Sequence, residues 1–418
     1  SRRSSACHDE RISLHVIFAA PFFMDATLRF IGGATHLPGV DLTLVSQDPA
    51  ERLPADLRAR IAGHWRVDDA LDPQQLVNAA RSLEARFGRA ERFIATLEQL
   101  QVPLAIAREA LGIEGLSVGA ALNFRDKARM KTVLGGAGVP CARHALVGDR
   151  HAAHEFAARA GFPLVVKPPS GAGGKSTFRL DRASDLEVFL ERFPPSPRAP
   201  TLYEEFVHGT EYSFDSVVID GRPAWHSISR YMPSPLEVLE NDWIQWCVML
   251  PRDISGPEFQ PIRRAAFEGL EALGLRTGLS HMEWFRLHDG RIAISEVGAR
   301  PPGAQFTSLL SYAHDINFYR AWPHLMVFDE FDPPPRRYAA GAAYIRGQGR
   351  GTVKRITGLD EAQRRYGSIV VEAKLPQHGQ PPSDSYEGDG YIIVRHPETH
   401  IVENALQQIV QLIRVELS

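Results

Sequence analysis

Glu283 and Glu296 sit in the segments HMEWF and ISEVGARPPG, on either side of Asp289-Gly290, a dipeptide that favours a tight turn. A hairpin of residues 279–287 and 291–297 is expected there. On alternating strands Glu283 and Phe285 share one side, and Ile294 and Glu296 share one side of the partner, so the two carboxylates should face each other. Facing carboxylates repel unless a cation lies between them. Mg²⁺ suits such a pair, because it takes few carboxylates and completes its shell with phosphate oxygens. The plainer alternative is two solvated glutamates on an edge hairpin. Arg300, just downstream, adds a planar fork for a phosphate or carboxylate.

A phosphate-holding stretch lies upstream in LVVKPPSGAGGKS, residues 164–176. A short apolar run ends in Lys167 and opens into a loop where Gly171, Gly173 and Gly174 free the backbone to approach an anion, while Ser170, Lys175, Ser176 and Thr177 add donors. The Walker pattern would need glycine where Pro169 stands, so that reading fails. A flexible hairpin with a solvated lysine is the alternative.

The elements that must position these residues are expected to be α/β and α+β. Residues 1–11 are polar and read as a disordered or processed end. Residues 12–122 read as a doubly wound α/β domain. Its strands are 12–20 and 40–46, a helix covers 25–31, two helical patterns cover 76–87 and 89–100, and a short strand at 104–106 follows Pro103. No G-x-G-x-x-G follows the first strand, which argues against a dinucleotide site there. Asn123 is expected to cap a helix ending at 138, and 141–203 form a small α+β unit around the glycine loop. Longer strands follow at 202–207, 212–219, 224–229 and 244–250, with a helix at 261–273. The acidic, proline-rich stretch 329–335 reads as a linker to a small C-terminal α+β domain, 329–418, ending in a helix at 403–415.

Composition narrows the function. With 44% hydrophobic and 23% charged residues the chain reads as an ordinary globular protein, long enough for two or three domains. A formal charge of -3, from 47 basic and 50 acidic residues, gives no signature for nucleic acid or an anionic membrane, which leaves a small molecule as the expected partner. Cys7, Cys141 and Cys247 form no C-x-x-C pair, so neither a disulfide framework nor a zinc site is indicated, and a reducing cytoplasm fits best. The apolar run 14–24 after Arg2, Arg3 and Arg11 superficially resembles a secretion signal, but His15 and Pro21 interrupt it and a first strand is the better reading.

Taken in order, these motifs resemble the ATP-grasp superfamily of ATP-dependent carboxylate-amine and related ligases. Arg125-Asp126-Lys127, with Met130, Lys131, Gly138, Val139 and Pro140, is similar to the family's entry segment, in which the lysine contacts ATP phosphate. Val166-Lys167-Pro168 and the glycine loop resemble its second phosphate lysine and mobile lid. Glu204-Glu205-Phe206-Val207, with Gly209 and Glu211, resembles the hinge strand that reads adenine through backbone groups and takes the ribose hydroxyls with an acidic residue. Glu283 and Glu296 match the two metal ligands, and Arg300 the arginine near the reacting phosphate. The family commonly has Asn two residues after the second glutamate; here Gly298 stands there, so a second metal ion would rest on a bridging Glu296.

The resemblance implies a pre-ATP-grasp domain at 12–122, a two-part ATP-grasp fold at 123–328 with its lid near 141–203, and a C-terminal domain. It also implies ATP and Mg²⁺, with Mn²⁺ as a substitute, and a tendency to form homodimers. The activity implied joins a small carboxylate, such as an amino acid, to an amine through an acyl phosphate. Arg230, His281, Gly298 and Gln305 are candidate substrate contacts. Two other readings stand beside this one: a bicarbonate-activating carboxylase of the biotin carboxylase type, and a non-catalytic ATP-binding protein.

Overall fold

The computed structural model describes residues 13–169, 177–241, 244–383 and 385–418. They divide into two compact units, the first formed by the chain up to Val118 together with Tyr319–Glu330, the second by Gly119–Phe318 and Phe331–Ser418. Among the described residues no helix is long and apolar enough to cross a membrane.

The first unit is built on a parallel sheet of β1 (Leu14–Ala19), β2 (Val40–Ser46), β3 (Gly63–Arg66) and β4 (Ala90–Ala95), in the order β3-β2-β1-β4. Each is followed by helical structure, as the doubly wound pattern requires. Two expectations fail here. Residues 89–100 are not a helix: AERFIA pairs in parallel with β1, burying Phe93 and Ile94, and only Glu98–Leu100 forms a single 3-10 turn. Residues 104–106 are not a strand but lie within the helix Gln101–Leu111, where Pro103 occupies the first turn and lacks only an N–H that would have no partner there. Both segments have apolar residues that fit either period, and the tertiary pairing decided between them.

Helix Phe318–Phe328 joins this unit by close backbone approach. A Cβ built on Gly33, in the helix Asp25–Ala34, would lie 2.0 Å from the Tyr319 carbonyl oxygen, so glycine is required there. Phe30 packs edge-on against Tyr319 at 4.9 Å and against Trp322 at 5.2 Å, and Arg92 pairs with Asp329 at 2.8 Å.

The second unit holds the remaining sheets. β5 (His144–Val147), β6 (Leu164–Lys167), β7 (Phe178–Leu180) and β8 (Thr201–Glu205) form an antiparallel sheet in the order β5-β8-β6-β7, backed by helices Arg150–Ala160 and Ala183–Arg192. The large sheet is antiparallel and contains β9 (Gly209–Ile219), β10 (Arg222–Met232), β11 (Cys247–Leu250), β12 (Gly278–Leu287), β13 (Ile292–Gly298), β14 (Ala339–Ile345), β17 (Val370–Lys374) and β18 (Gly390–His396). Their order is β13-β12-β9-β10-β11-β14-β18-β17. β15 (Gly347–Gln348), β16 (Val353–Thr357) and β19 (Arg414–Leu417) make a small third sheet.

Residues beyond 330 therefore do not form the separate C-terminal domain expected from the proline-rich stretch. β14 pairs along its whole length with β18 and shares β11 with the strands before it, so one hydrophobic cluster spans the intended boundary. The expected Asn123 cap is also displaced. One helix, Val118–Arg125, stops short, and Asp126 caps the next, Lys127–Gly136, by accepting from the Arg129 N–H at 2.9 Å.

Strand alternation gives the large sheet two different faces. One face carries Tyr212, Phe214, Met282, Trp284 and Ile294; helix Gln260–Leu273 packs on it through Phe267, and the Sδ of Met130, in helix Lys127–Gly136, accepts from the Val297 N–H at 3.2 Å. The other face carries Glu211, Ser213, Asp215, His281 and Glu283, and continues across the sheet through Tyr231, Val248, Ala342 and Tyr344, where helix Phe306–His314 covers it.

Candidate active site

Glu283 and Glu296 are direct cross-strand partners in the β12–β13 hairpin, but not for the reason that parity suggested. A bulge leaves Ser295 without an opposite number, since Trp284 pairs with Ile294 and Glu283 with Glu296. Ile294 is fully buried on the helix-covered face, whereas Glu296 lies on the other face with Glu283. Were the ladder regular, Ser295 would stand opposite Glu283.

Lysines gather on Glu296 and on the nearby Glu204. Lys127, the first residue of its helix, reaches Glu296 Oε1 at 2.7 Å, and its own N–H donates to the Pro169 carbonyl at 2.8 Å. Lys167, at the end of β6, sits 3.1 Å from Glu204 Oε2 on the neighbouring β8, and Lys131 approaches the other oxygen of Glu204 at 3.4 Å. Burial alone would lift the carboxyl of Glu204, but Lys131 and Lys167 outweigh it and hold the group below its ordinary value. The same balance holds Glu296 down, through Lys127 and then Lys167. Lys167 is held above its usual value, burial being overcome by Glu204 and Glu296, whereas Lys131, completely buried, is pushed down by desolvation.

Glu211 and Glu283 behave oppositely. Burial, then the charge of Glu283, pushes the carboxyl of Glu211 well up; burial, then Glu296, raises Glu283. Such a deficit of positive charge is what a bound cation would relieve. Among the described residues no group of three or more His, Cys, Asp or Glu side chains is placed to hold a metal alone. Two facing carboxylates, each roughly a quarter to a third exposed (27% for Glu296, 30% for Glu283), nevertheless fit Mg²⁺ when phosphate oxygens supply further ligands. A Cβ on Gly298 would meet the Arg300 side chain at 3.5 Å, so the arginine lies where a longer residue at 298 would begin.

The remaining predicted residues divide. His281 lies on the carboxylate face, with Nδ1 2.7 Å from the fully buried Asp215 and Nε2 3.5 Å from the Tyr231 hydroxyl and 3.9 Å from Glu283. Arg230 is not in this group: it belongs to β10 with its side chain on the opposite face, paired with Glu403 at 3.3 Å. The strand expected to end at 229 runs on to Met232 and is followed by a short helix, Pro235–Glu240. Glu205 spends its carboxylate on Arg143, through both the Arg143 N–H at 2.8 Å and Nε at 2.6 Å. Phe206 donates its N–H to Pro163, and its ring lies under Arg179 at 4.4 Å; Val207, partly exposed, leads from β8 into β9. Gln305 adopts a left-handed conformation (φ 62°) at the start of helix Phe306–His314 and accepts from the Ser308 hydroxyl at 3.2 Å. Ser170, Gly171, Gly173, Gly174, Lys175 and Ser176 lie outside the described residues.

The ATP-grasp domain family matches residues 132–310. The chain carries an ATP-grasp domain. An L-arginine-specific L-amino acid ligase from Bacillus subtilis is 23% identical over 85% of this chain and 87% of its own length. The carbamoyl phosphate synthase large chain of Thermotoga petrophila is 25% identical over 57% of this chain, which spans only 22% of that protein. In fold, the chain is similar to the crystal structure of L-amino acid ligase from Bacillus licheniformis, with a TM-score of 0.76 and 20% identity over 97% of this chain and 99% of that one. It is also similar to N5-carboxyaminoimidazole ribonucleotide synthetase from Thermotoga maritima, with a TM-score of 0.70 and 16% identity over 97% and 100%.

Two features of this cluster were not read from the sequence, the burial of Lys131 against Glu204 and the pairing of Asp215 with His281. Lys131 belongs to the entry segment read from the sequence, four residues beyond Lys127 on the same helix face, but its burial against Glu204 depends on a strand far along the chain. Asp215 carried a weak signal, a second carboxylate in the strand that also holds Glu211.

Proposed function

We propose that this protein is an ATP-dependent carboxylate-amine ligase that joins an amino acid or another small carboxylic acid to an amine and releases ADP and phosphate. The observation that carries the reading is the gathering of Lys127, on Glu296, and Lys167, on Glu204, around the facing pair Glu283 and Glu296. The similarity to two L-amino acid ligases over most of the chain supports the substrate class.

In this reading a carboxylate oxygen attacks the γ-phosphorus of ATP and the bond to ADP breaks. The amine nitrogen then attacks the acyl carbon, phosphate leaves with the C–O bond electrons, and the amine proton passes to solvent. Lys127 and Lys167 offset phosphate charge, with Glu204 fixing the direction of Lys167. Arg300 stabilises charge developing on the acyl group. Glu283 and Glu296 would hold Mg²⁺, which supplies neutralisation of the transferring phosphoryl group. Little proton transfer by side chains is needed, so placement of charge accounts for most of the rate.

The test is ADP release by the purified protein with Mg-ATP, amino acids being offered singly and in pairs and bicarbonate separately. ADP that appears only when an acid and an amine are both present is the expected result. ADP driven by bicarbonate alone would replace the ligase reading with carboxylation.

A further inference from the structure

We infer that Asp215 is a positioning residue for the amine substrate. It fixes the imidazole of His281 so that a bare Nε2 accepts a hydrogen bond from the amine N–H and turns the lone pair of that nitrogen toward the acyl phosphate. The inference rests on the ligase reading above and names the groups that receive the second substrate beside the carboxylate pair.

His281 lies on β12, with Asp215 of β9 as its cross-strand partner on one side and Gly298 of β13 on the other. Asp215 is completely buried, and its Oδ1 is 2.7 Å from Nδ1 of His281. A carboxylate can only accept, so the hydrogen between the two belongs to Nδ1, and the tautomer this selects leaves Nε2 with its lone pair free. Nε2 lies 3.9 Å from Glu283 Oε1, which places it at the proposed metal pair. The Tyr231 hydroxyl, at 3.5 Å, is too distant to saturate it.

The imidazole is both braced and reachable. The Phe306 ring meets it edge to face at 5.2 Å. On the β13 side Gly298 presents no side chain, which leaves that flank open as far as Arg300. The His281 side chain is 11% exposed and that of Glu283 30%, whereas Asp215 has no exposure at all. Solvent and substrate therefore meet the histidine and not the carboxylate behind it.

Asp215 is supported in this position. Its second oxygen accepts from the Ser213 hydroxyl at 3.2 Å. Ser227, directly opposite on β10, takes a hydrogen bond from the guanidinium of Arg336, so positive charge stands one residue away. Among the described residues no lysine or arginine pairs with Asp215 directly, and His281 is its closest partner. Burying a carboxylate is unfavourable, and here what it secures is the direction of one ring.

The experiment has a spectroscopic and a kinetic arm. In histidine nitrogen NMR spectra of the intact protein with Mg²⁺ and a non-hydrolysable ATP analogue, the ring signals absent from His281→Gln should show a protonated Nδ1 and a bare Nε2. A ring carrying hydrogen on Nε2, alone or together with Nδ1, overturns the inference. The kinetic arm uses Asp215→Asn. Because Ser213 donates to the second oxygen of Asp215, the amide oxygen of the variant should stay on that side and its NH2 should face Nδ1, reversing the tautomer. Amide formation should then fall by about tenfold or more, while ADP release with the acid and hydroxylamine, which reaches the acyl phosphate without being held, should stay within about threefold. Equal loss in both assays marks a structural role and overturns the inference, as does unchanged amide formation. An unsubstituted protein that releases no ADP with any acid and amine, hydroxylamine included, would instead sink the ligase reading and the amine contact with it.

Discussion

At the scale of single residues the lysine-glutamate arrangement makes definite demands. Glu204 is held below its ordinary value, so the stability it contributes is complete above the unfolded value near pH 4.3 and is lost as pH falls through the folded value. Lys167 is held above its ordinary value, so its share fades only as pH rises through that folded value, beyond about 10.4. Glu204→Gln should therefore destabilise the protein by about 3 kcal/mol between those limits, leaving two buried ammoniums without their anion, and the difference should shrink below about pH 4. Urea unfolding across that range checks both the size and the sign. A second contrast concerns turnover. Glu296→Gln should lower ADP formation by about a hundredfold and raise the Mg²⁺ needed for half-maximal rate, whereas Arg230→Ala, on the opposite sheet face, should stay within about threefold. Steady-state rates at graded Mg²⁺ distinguish the two. The carboxylate pair and Lys127 were legible because their signals are local: a turn dipeptide between two arms, and a helix start. The burial of Lys131 and the true position of Arg230 were not, because burial and sheet face are set by partners distant in sequence.

Secondary-structure elements show where periodicity stops being informative. AERFIA and the residues around Pro103 fit either helix or strand, and it is parallel pairing with β1 that makes the first a strand, while the second is helix. The bulge at Ser295 is a further case, since nothing in ISEVG announces that one residue drops out of the ladder. Close packing, on the other hand, turns some glycines into strong predictions. Gly33→Ala should cost about 2 kcal/mol or more, because a backbone carbonyl at 2.0 Å cannot step aside as a side chain would. Gly119→Ala, also in a helix but with nothing within 4 Å of the added carbon, should instead stabilise by about 0.5–1 kcal/mol. Thermal unfolding midpoints of the two variants should move in opposite directions.

At the scale of the whole molecule, the misread boundary near residue 330 matters most. Proline and acidic residues at 329–335 read as a linker, and they do connect the two compact units, yet the strands that follow complete an existing sheet. A chain ending at residue 330 would expose β11 as an edge and strip Tyr231, Trp246 and Val248 of Ala340, Ala342, Tyr344 and Ile393. Such a fragment should aggregate or lose cooperative unfolding; a sharp urea transition in it would show that the C-terminal strands are dispensable. The excursion of Tyr319–Glu330 into the first unit carries a different consequence, for inheritance and engineering. A chimera made by exchanging residues 1–118 with a related gene at one crossover would set a foreign helix surface against the native Tyr319 and Trp322, which Gly33 and Phe30 fit so closely. Recombination can move this unit intact only when two separate pieces of the gene travel together.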